Sequence, residues 1–443
     1  MSIKRPKKGQ QKCCTTILLA FFKSVRTPKL ARPTPDFYVG SVVPSEDLRF
    51  RDAFIEELWE SIASHHLILK APRRCGKTSV MEHLRASPQH GYSVIYENVQ
   101  DLVHPADLFL AILDNFRDQH PGLFHTLVKG WQTVTSWLPK VEEIECGEVK
   151  TKFRENVKDY REHWREHGDA LFRQLRSLKR PVLIIVDELP DMLLNLRQED
   201  PKLLRDFLSW FRDKRCDPLP KNDTVRWLLG GSINLSSTLD GMSLLDRIND
   251  LKDMPLPDLT PHQIETFVNE MLTARHVEFE KKLPERLREL LGRPIPLFLQ
   301  MLTQDLYRSW RNRPRKLRKA DVEAEFSRFV TSTAAQDKLQ HYYTRLAKYY
   351  EEPALSQAHE ILNHLCQTAE KDGRDEGASR ATLMHLVEGT CPSGRLPAAH
   401  ERKRLFLQLM RDLENDFYIT ETTPGRYGFA SGIMKAWWRK HYA

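Results

Sequence analysis

Gly76, Lys77 and Thr78 complete a sequence pattern that binds phosphate groups, within the stretch "LILKAPRRCGKTSVMEHL" (Leu67–Leu84). Glycine at position 76 lets consecutive backbone N–H groups turn inward around an anion. The helix that follows directs its free N–H groups and the positive end of its dipole at the same anion. In this pattern the lysine reaches the β- and γ-phosphates of a nucleotide and the threonine hydroxyl ligates Mg²⁺. These residues therefore predict a site for ATP and Mg²⁺.

Ala71 stands where the pattern G-x-x-x-x-G-K-[ST] has its first glycine. That position lies at the exit of the strand, away from the phosphates, so we expect a small residue to be tolerated there. Cys75, inside the loop, has two interpretations: a small residue that fills the loop, or a thiol whose oxidation would block phosphate binding. We expect the whole loop to bind the nucleotide, through Ala71, Pro72, Arg73, Arg74, Cys75, Gly76, Lys77, Thr78 and Ser79.

Asp187 and Glu188 end a second apolar stretch, "PVLIIVDELPDML". Two carboxylates at the end of a buried strand are costly unless they act at that edge of the sheet, where open parallel sheets bind their ligands. We expect Asp187 to hold the Mg²⁺ with Thr78, and Glu188 to orient or deprotonate the attacking water. The alternative is a pair of carboxylates that caps a helix.

Ser232 follows a third apolar stretch, "VRWLLGGS", at the tip of another strand. A polar side chain there could sense the γ-phosphate or the lytic water, and Asn234 is the reserve candidate for this role. The alternative is a serine that serves the turn after two glycines. Lys77, Glu188 and Ser232 are therefore the candidate catalytic residues.

Short apolar runs alternate with helical patterns over residues 37–258, which indicates a parallel sheet covered by helices on both faces. About 80 residues separate the second and third runs, so we expect an insertion near residues 119–157. Within it, the alternation around Gly147 predicts a hairpin over Val141–Phe153. The five strand candidates are His66–Lys70, Tyr92–Tyr96, Pro181–Val186, Val225–Leu229 and the weaker Lys252–Leu256.

The chain becomes helical after the sheet. Thr260, Pro261 and Gln263 form a capping box at the start of a helix, and residues 259–335 are predicted to be a helical domain. Residues 336–443 show three helical patterns and then two short strands around Pro424-Gly425, which is typical of a winged helix. The basic run between Arg308 and Lys319 is either a solvated helix end or a contact with a polyanion.

The net charge of +8 comes from the N-terminal tail, residues 1–36. Its first 35 residues hold nine basic residues and no acidic one, so the rest of the chain is nearly neutral. The apolar run Cys13–Phe22 is too short to span a bilayer, which needs about 20 residues. It favours a short helix that packs on the body or grips an anionic partner. Seven cysteines without a C-x-x-C pattern indicate a reducing compartment, so we expect a cytoplasmic protein without a membrane partner.

The chain resembles the prokaryotic P-loop ATPases related to the AAA+ initiator (origin-recognition) clade and to the STAND nucleotide switches. Over roughly residues 37–443, the segments that carry the resemblance occur in the order "APRRCGKTS", "VDELP", "GGSI", "INDLKDMPLPDLTPHQ", "GRPIPLFLQML" and "LENDFYI". The resemblance implies an α/β fold: a P-loop NTPase (ASCE-type) core with a parallel five-stranded sheet, then a helical lid and an α+β winged-helix domain. In that group Ala-Pro-Arg-Arg replaces the first glycine without loss of the site.

The same resemblance implies further contacts with the nucleotide. Gly292 and Pro294 would take the positions of a lid G-x-P motif, with Pro296 just beyond, and the stretch Phe37–Gly40 would line the adenine side. No arginine finger is assigned, because the sequence leaves several candidates open: Arg73, Arg74, Arg205, Arg212, Arg226 and Arg247.

These observations predict a molecular switch that binds ATP and hydrolyses it slowly with Mg²⁺, and whose nucleotide state repositions the winged helix. Its partner would be another protein, a second copy of the chain, or double-stranded DNA bound through the winged helix and the basic segments. Two alternatives stay open: a DNA-binding protein that uses ATP as a conformational cofactor, and a scaffold that holds nucleotide with negligible turnover. Kinase activity is disfavoured because no acceptor site is readable.

Overall fold

The computed structural model describes residues 35–132, 157–216, 224–231, 239, 244–371, 374–388 and 398–442. Phe37–Ala443 forms one compact unit. Three sequence predictions lie outside the described residues: the short apolar run in the N-terminal tail, the hairpin over Val141–Phe153, and the sensor candidates Ser232 and Asn234.

A five-stranded parallel sheet forms the centre of the first half of this unit, as the sequence predicts. The strand order is β2-β3-β4-β1-β5, so the phosphate-loop strand β1 lies between β4 and β5. Because β3 and β1 both pair with β4, the acidic pair and the phosphate loop leave the same edge of the sheet, two strands apart. The strands are β1 (Leu67–Lys70), β2 (Ser93–Asn98), β3 (Val182–Asp187), β4 (Val225–Gly231) and β5 (Lys252–Pro255).

Helices cover both faces of the sheet because successive strand residues point to opposite sides. Leu67 and Leu69 of β1 belong to one core, whereas Ile68 belongs to the other. The first core includes side chains of α1 and α2, and the second includes side chains of α3, α6, α7 and α8. The helices of this half are α1 (Asp52–Ile62), α2 (Lys77–Ala86), α3 (Pro105–Gln119), α4 (Pro121–Gln132), α5 (Val157–Glu162), α6 (Trp164–Ser177), α7 (Leu189–Glu199) and α8 (Pro201–Cys216).

Four helices follow the sheet in the region predicted as a lid. The capping box is present: Thr260 Oγ1 accepts from Gln263 N at 3.2 Å, and Gln263 Oε1 accepts from Thr260 N at 2.9 Å. Proline at position 261 begins the first helix, where its missing N–H leaves no bond unmade. The helices are α9 (Pro261–Thr273), α10 (Leu283–Leu291), α11 (Pro296–Asn312) and α12 (Lys319–Thr331).

The C-terminal region combines helices with small antiparallel sheets. The two strands expected around Pro424-Gly425 are present and pair with each other, and a third strand joins them in the order β8-β10-β9. The elements are α13 (Thr333–Tyr349), α14 (Ala354–Cys366), β6 (Glu370–Lys371), β7 (Arg374–Asp375), β8 (Ala378–Ser379), α15 (Arg380–Glu388), α16 (Ala399–Asn415), β9 (Ile419–Thr423), β10 (Arg426–Phe429) and α17 (Gly432–His441).

Within the described part of the chain, every helix is too short or too polar to cross a lipid bilayer.

Candidate functional site

The loop between β1 and α2 begins at a buried residue that does not need to be glycine. Ala71 is 1% exposed, and its N–H points to the carbonyl of Gly231 on β4 at 3.5 Å. Phe50, Arg74 and His90 are the non-glycine residues of 35–132 with positive φ, so Ala71 keeps a backbone conformation that any residue adopts. The alanine therefore serves as a small filler at the strand exit.

Gly76 supplies the unusual backbone conformation of the loop. Its φ is +92°, in the left-handed region, and it is the residue immediately before α2. An added Cβ would meet nothing within 4 Å, so the requirement for glycine comes from the dihedral angle and not from space. Arg74 also has a positive φ, +66°. The loop thus turns sharply into the N-terminus of α2, where free N–H groups can bind an anion.

Asp187, at the end of β3, contacts the two residues that follow the loop at the start of α2. Lys77 Nζ pairs with Asp187 Oδ1, and Thr78 Oγ1 donates to Asp187 Oδ2 at 2.7 Å. Asp187 is fully buried. Burial by itself would raise its pKa, but the charge of Lys77 and the hydrogen bonds from Lys77 and Thr78 outweigh burial and lower the pKa below its ordinary value. The carboxylate is therefore ionised at neutral pH.

Gly230 allows β4 to pass close to this carboxylate. A Cβ at position 230 would collide with Asp187 Oδ1 and would lie 2.8 Å from the terminal methyl of Met81. Gly230, the first of the two glycines after "VRWLL", is therefore required because a side chain at this position would collide with Asp187.

Glu188 lies next to Asp187 but faces a cavity. It has a φ of +58° and occupies the position before α7, a strained conformation for a non-glycine residue. Its Oε1 is 3.6 Å from Lys77 Nζ, and its side chain is 18% exposed. The two carboxylates therefore have different environments: Asp187 is buried behind the loop, and Glu188 is accessible to a ligand.

A cavity of about 330 Å³ lies over the phosphate loop. Three of its lining residues are cationic (Arg73, Arg74 and Lys77) and one is a carboxylate, Glu188, so the cavity suits a strongly anionic ligand. Beyond the phosphate loop and Glu188, the lining comes from the N-terminal stretch before α1 (Tyr38, Gly40, Ser41, Val42 and Val43), from α11 (Pro296, Leu297 and Gln300) and from α13 (His341).

The loop residues predicted from the sequence fall into two groups. Pro72, Arg73, Arg74, Gly76, Lys77, Thr78 and Ser79 line the cavity, whereas Ala71 and Cys75 are buried beneath the loop. Burial raises the pKa of the Cys75 thiol to about 12, so it is protonated at neutral pH and a poor target for oxidation. The structure thus favours the interpretation of Cys75 as a small residue that fills the loop.

The region predicted as a lid contacts the cavity two residues beyond Pro294, the residue expected from the sequence. Pro296, at the first residue of α11, belongs to the lining, while Pro294 does not. Gln300 on the same helix accepts a hydrogen bond from the backbone N–H of Tyr38 at 2.7 Å. Tyr38 and Gly40 line the cavity, but Phe37 stacks on Tyr307 outside it. Tyr38 and Gly40 of the expected stretch Phe37–Gly40 are therefore the residues that contact the site.

Asp191 and His341 contact residues of the site but belong to none of the sequence motifs that predicted it. Asp191 lies four residues after Asp187, in the first turn of α7, and is 1% exposed; it is the third acidic residue of "DELPD". His341 lies on α13, more than 260 residues after the loop in the sequence, and no local sequence pattern indicates that it lines the cavity. Burial, followed by the charges of Arg73 and Arg74, lowers the pKa of His341 to about 4, so its imidazole is neutral at neutral pH.

No protein-family model matches the chain, and no curated protein is similar enough to match it. Solved structures do match. The chain is similar to the Walker-type ATPase of Pyrococcus abyssi, with 15% identity, a TM-score of 0.56, and coverage of 91% of this chain and 99% of that one. It is also similar to the ORC2 protein of Aeropyrum pernix, with 12% identity, a TM-score of 0.51, and coverage of 90% and 95%. At these identities the likeness concerns the fold, and the chain has the fold of the AAA+ P-loop ATPases.

Proposed function

We propose that this protein is an ATPase that binds Mg·ATP in the cavity over the phosphate loop, hydrolyses it slowly, and changes the position of its C-terminal region with nucleotide state. The observation that carries the proposal is the arrangement around Asp187. One buried carboxylate contacts both Lys77 and Thr78, and the accessible Glu188 follows it directly. Phosphate binding, metal binding and activation of water each have a residue of the appropriate type at one edge of the sheet.

The residues present fit a Mg²⁺ ion bound with a nucleotide. Thr78 Oγ1 and Asp187 Oδ2 are 2.7 Å apart, so they offer two oxygen ligands side by side. Mg²⁺ is usually bound by one or two protein oxygens, with waters and substrate phosphates as its other ligands. Within the described residues no group of three or more His, Cys, Asp and Glu side chains could hold a metal ion. The ion, when bound, would neutralise charge on the β- and γ-phosphates.

The protein's own groups have separate roles in the proposed reaction. Lys77 and the backbone N–H groups of the loop bind the phosphates, and Glu188 accepts the proton of the attacking water. The apolar part of the lining, which includes Val42, Val43 and Leu297, suits the base of the nucleotide. The similar ORC2 protein was solved in complexes with ADPNP and ADP, which supports a nucleotide as the ligand here.

Binding of Mg·ATP to the wild type and to Lys77→Ala tests the proposal. Because Lys77 is the cation next to both carboxylates, we expect calorimetry to detect binding to the wild type and none to the variant at the same concentrations. Equal ATP affinity in Lys77→Ala would contradict the assignment. Tight ATP binding by the wild type without phosphate release would instead favour the nucleotide-holding scaffold.

A second candidate function is binding of duplex DNA with ATP as a conformational cofactor. The order α14, β8, α15, α16, β9, β10 and the sheet order β8-β10-β9 are compatible with the predicted winged helix, which supports this candidate. Exposed basic side chains lie on α16 (Lys403 and Arg404), in the last turn of α11 (Arg311) and between α11 and α12 (Arg313, Lys316 and Arg318). A winged helix can also contact a partner protein or a second copy of the chain.

A salt titration of DNA binding decides between these partners. If DNA is the partner, the affinity for duplex DNA should fall linearly with salt on a double-logarithmic plot, since each phosphate contact releases counterions. Absent binding, or an affinity that does not depend on ionic strength, would reject this candidate.

A further inference from the structure

Asp191 is a buried carboxylate that contacts groups from two distant parts of the chain. Its Oδ2 accepts from Arg73 of the phosphate loop at 2.9 Å. Its Oδ1 accepts from Lys348 Nζ at 2.9 Å and from Tyr349 Oη at 2.7 Å, both at the end of α13. Burial alone would raise the pKa of Asp191, but these hydrogen bonds and the charges of Arg73 and Lys348 lower it. A single ionised side chain thus links the loop, α7 and α13.

Arg73 is held by this contact at the centre of the candidate site. One of its terminal nitrogens, the one bonded to Asp191, is 4.0 Å from Glu188 Oε2, and the other is 3.2 Å from His341 Nε2. Its side chain is 24% exposed and lines the cavity. Its Nε is buried and makes no hydrogen bond with the described residues. The guanidinium is therefore fixed in place but not saturated by the protein.

The Arg73–Asp191 pair differs from another buried ion pair, Arg215–Asp250, in the exposure of its arginine. Arg215 binds Asp250 through two hydrogen bonds, of 2.7 and 2.9 Å, and its side chain is 1% exposed. That pair, between α8 and the segment before β5, is enclosed and contacts no cavity residue of the nucleotide site. Arg73 in contrast presents its charge to the cavity beside the proposed base.

We infer that Asp191 is a positioning residue for ATP hydrolysis: it fixes the guanidinium of Arg73 beside Glu188 and connects the phosphate loop to α13. The inference rests on the proposed ATPase function. A cation fixed at this place can stabilise the charge that develops on the transferred phosphoryl group. Because Lys348 and Tyr349 share the same carboxylate, a change in the contact between Arg73 and Asp191 also acts on α13.

A double-mutant cycle with Arg73→Gln and Asp191→Asn tests the inference through steady-state ATP hydrolysis. We expect each single substitution to lower kcat by roughly tenfold to a hundredfold, the scale expected when a catalytic group is misplaced, with KM changed less than about threefold. The double variant should be no slower than the slower single variant, because both changes remove the same positioned cation. Arg73→Lys should restore part of kcat, since it keeps the charge without the two-nitrogen contact.

Asp250→Asn is the matched control, because it breaks another arginine–aspartate pair that lies away from the cavity. It should lower the melting temperature and leave kcat unchanged. If Asp191→Asn does not fold, Asp191→Asn/Lys348→Met removes the charge together with one of its cations and takes its place in the cycle.

Different results would overturn the proposed ATPase function and the positioning role of Asp191. Wild-type protein without ATP turnover would overturn the proposed ATPase and this inference together. Wild-type turnover combined with additive effects of the two substitutions, or with an unchanged kcat in Asp191→Asn, would overturn the inference alone.

Discussion

At the residue scale, the site depends on how closely the backbone approaches one buried carboxylate. Asp187 accepts hydrogen bonds from Lys77 and Thr78 at the start of α2, and β4 passes close to it at Gly230. Ala71, which departs from the phosphate-loop pattern, lies where no special dihedral angle or close contact is required. The pattern is therefore intact at the positions where the geometry requires glycine.

Substitution of Gly230 by alanine should disturb the acidic residue directly. The added Cβ would collide with Asp187 Oδ1 and with Met81, and overpacking of this kind costs about 1–3 kcal/mol. We expect Gly230→Ala to lower the free energy of unfolding by that amount and to weaken Mg·ATP binding, both measurable by denaturant titration and calorimetry.

Gly122→Ala is the control for this prediction. Position 122 is an exposed site on α4 where an added Cβ meets nothing within 4 Å. Alanine there should be neutral or stabilising, since glycine has a low helix propensity. Equal stability and ATP affinity in Gly230→Ala and the wild type would show that the contact with Asp187 is unimportant.

At the element scale, the capping box of α9 can be separated from the chemistry of the site. Thr260 and Gln263 exchange hydrogen bonds at the start of the lid region. Thr260→Ala should cost about 1 kcal/mol of unfolding free energy because it removes the side-chain acceptor of the cap. The KM for ATP should not change, because neither residue lines the cavity. A KM that rises several-fold would show instead that the start of α9 positions the lid over the nucleotide.

The elements that were predictable from sequence are those with a local signal. Strands β1 to β4 are apolar runs bounded by breaks, and the capping box and the strand pair around Pro424-Gly425 carry their own local patterns. Their presence in the structure confirms these predictions. The roles of Lys77, Thr78, Asp187 and Glu188 stay predictions, although the structure brings these residues together.

Contacts between distant segments were not predictable in the same way. α13 reaches the cavity through His341 and binds Asp191 through Lys348 and Tyr349. Nothing within α13 distinguishes these side chains from solvated ones, because their partners lie about 150 to 270 residues earlier. Such contacts depend on the placement of α13 beside α7 and the phosphate loop, which a single sequence does not specify locally. The sequence also did not specify that Pro296, and not the predicted Pro294, would line the cavity.

At the scale of the whole molecule, the buried His167 and the half-buried His104 and His341 predict how stability depends on pH. Burial is the main cause that lowers the pKa of His104 to about 4, of His167 to about 3 and of His341 to about 4. In the unfolded chain a histidine titrates near about 6.5. Between pH 6.5 and 4 the unfolded state therefore binds more protons than the folded state, so the free energy of unfolding should fall as the pH falls. The lowered pKa values of Asp187 and Asp191 add a further loss at more acidic pH.

His104→Asn tests this pH dependence. His104 Nδ1 accepts from Ala106 N at the start of α3, and asparagine can keep that cap without titrating in this range. Denaturant titrations at several pH values should show a shallower decline for His104→Asn than for the wild type. The same substitution at the exposed His400 is the control and should leave the slope unchanged. A wild-type stability that is constant between pH 6.5 and 4 would contradict the prediction.

The most direct test of the proposed ATPase is Glu188→Gln, measured in parallel for Mg·ATP binding and phosphate release. Glutamine preserves the size of the side chain but cannot accept the proton of the attacking water. We predict that the variant binds Mg·ATP as tightly as the wild type, within about threefold, while phosphate release falls by at least about a hundredfold. Phosphate release at the wild-type rate in Glu188→Gln would contradict the central claim, because the carboxylate beside the phosphate loop would then take no part in the reaction.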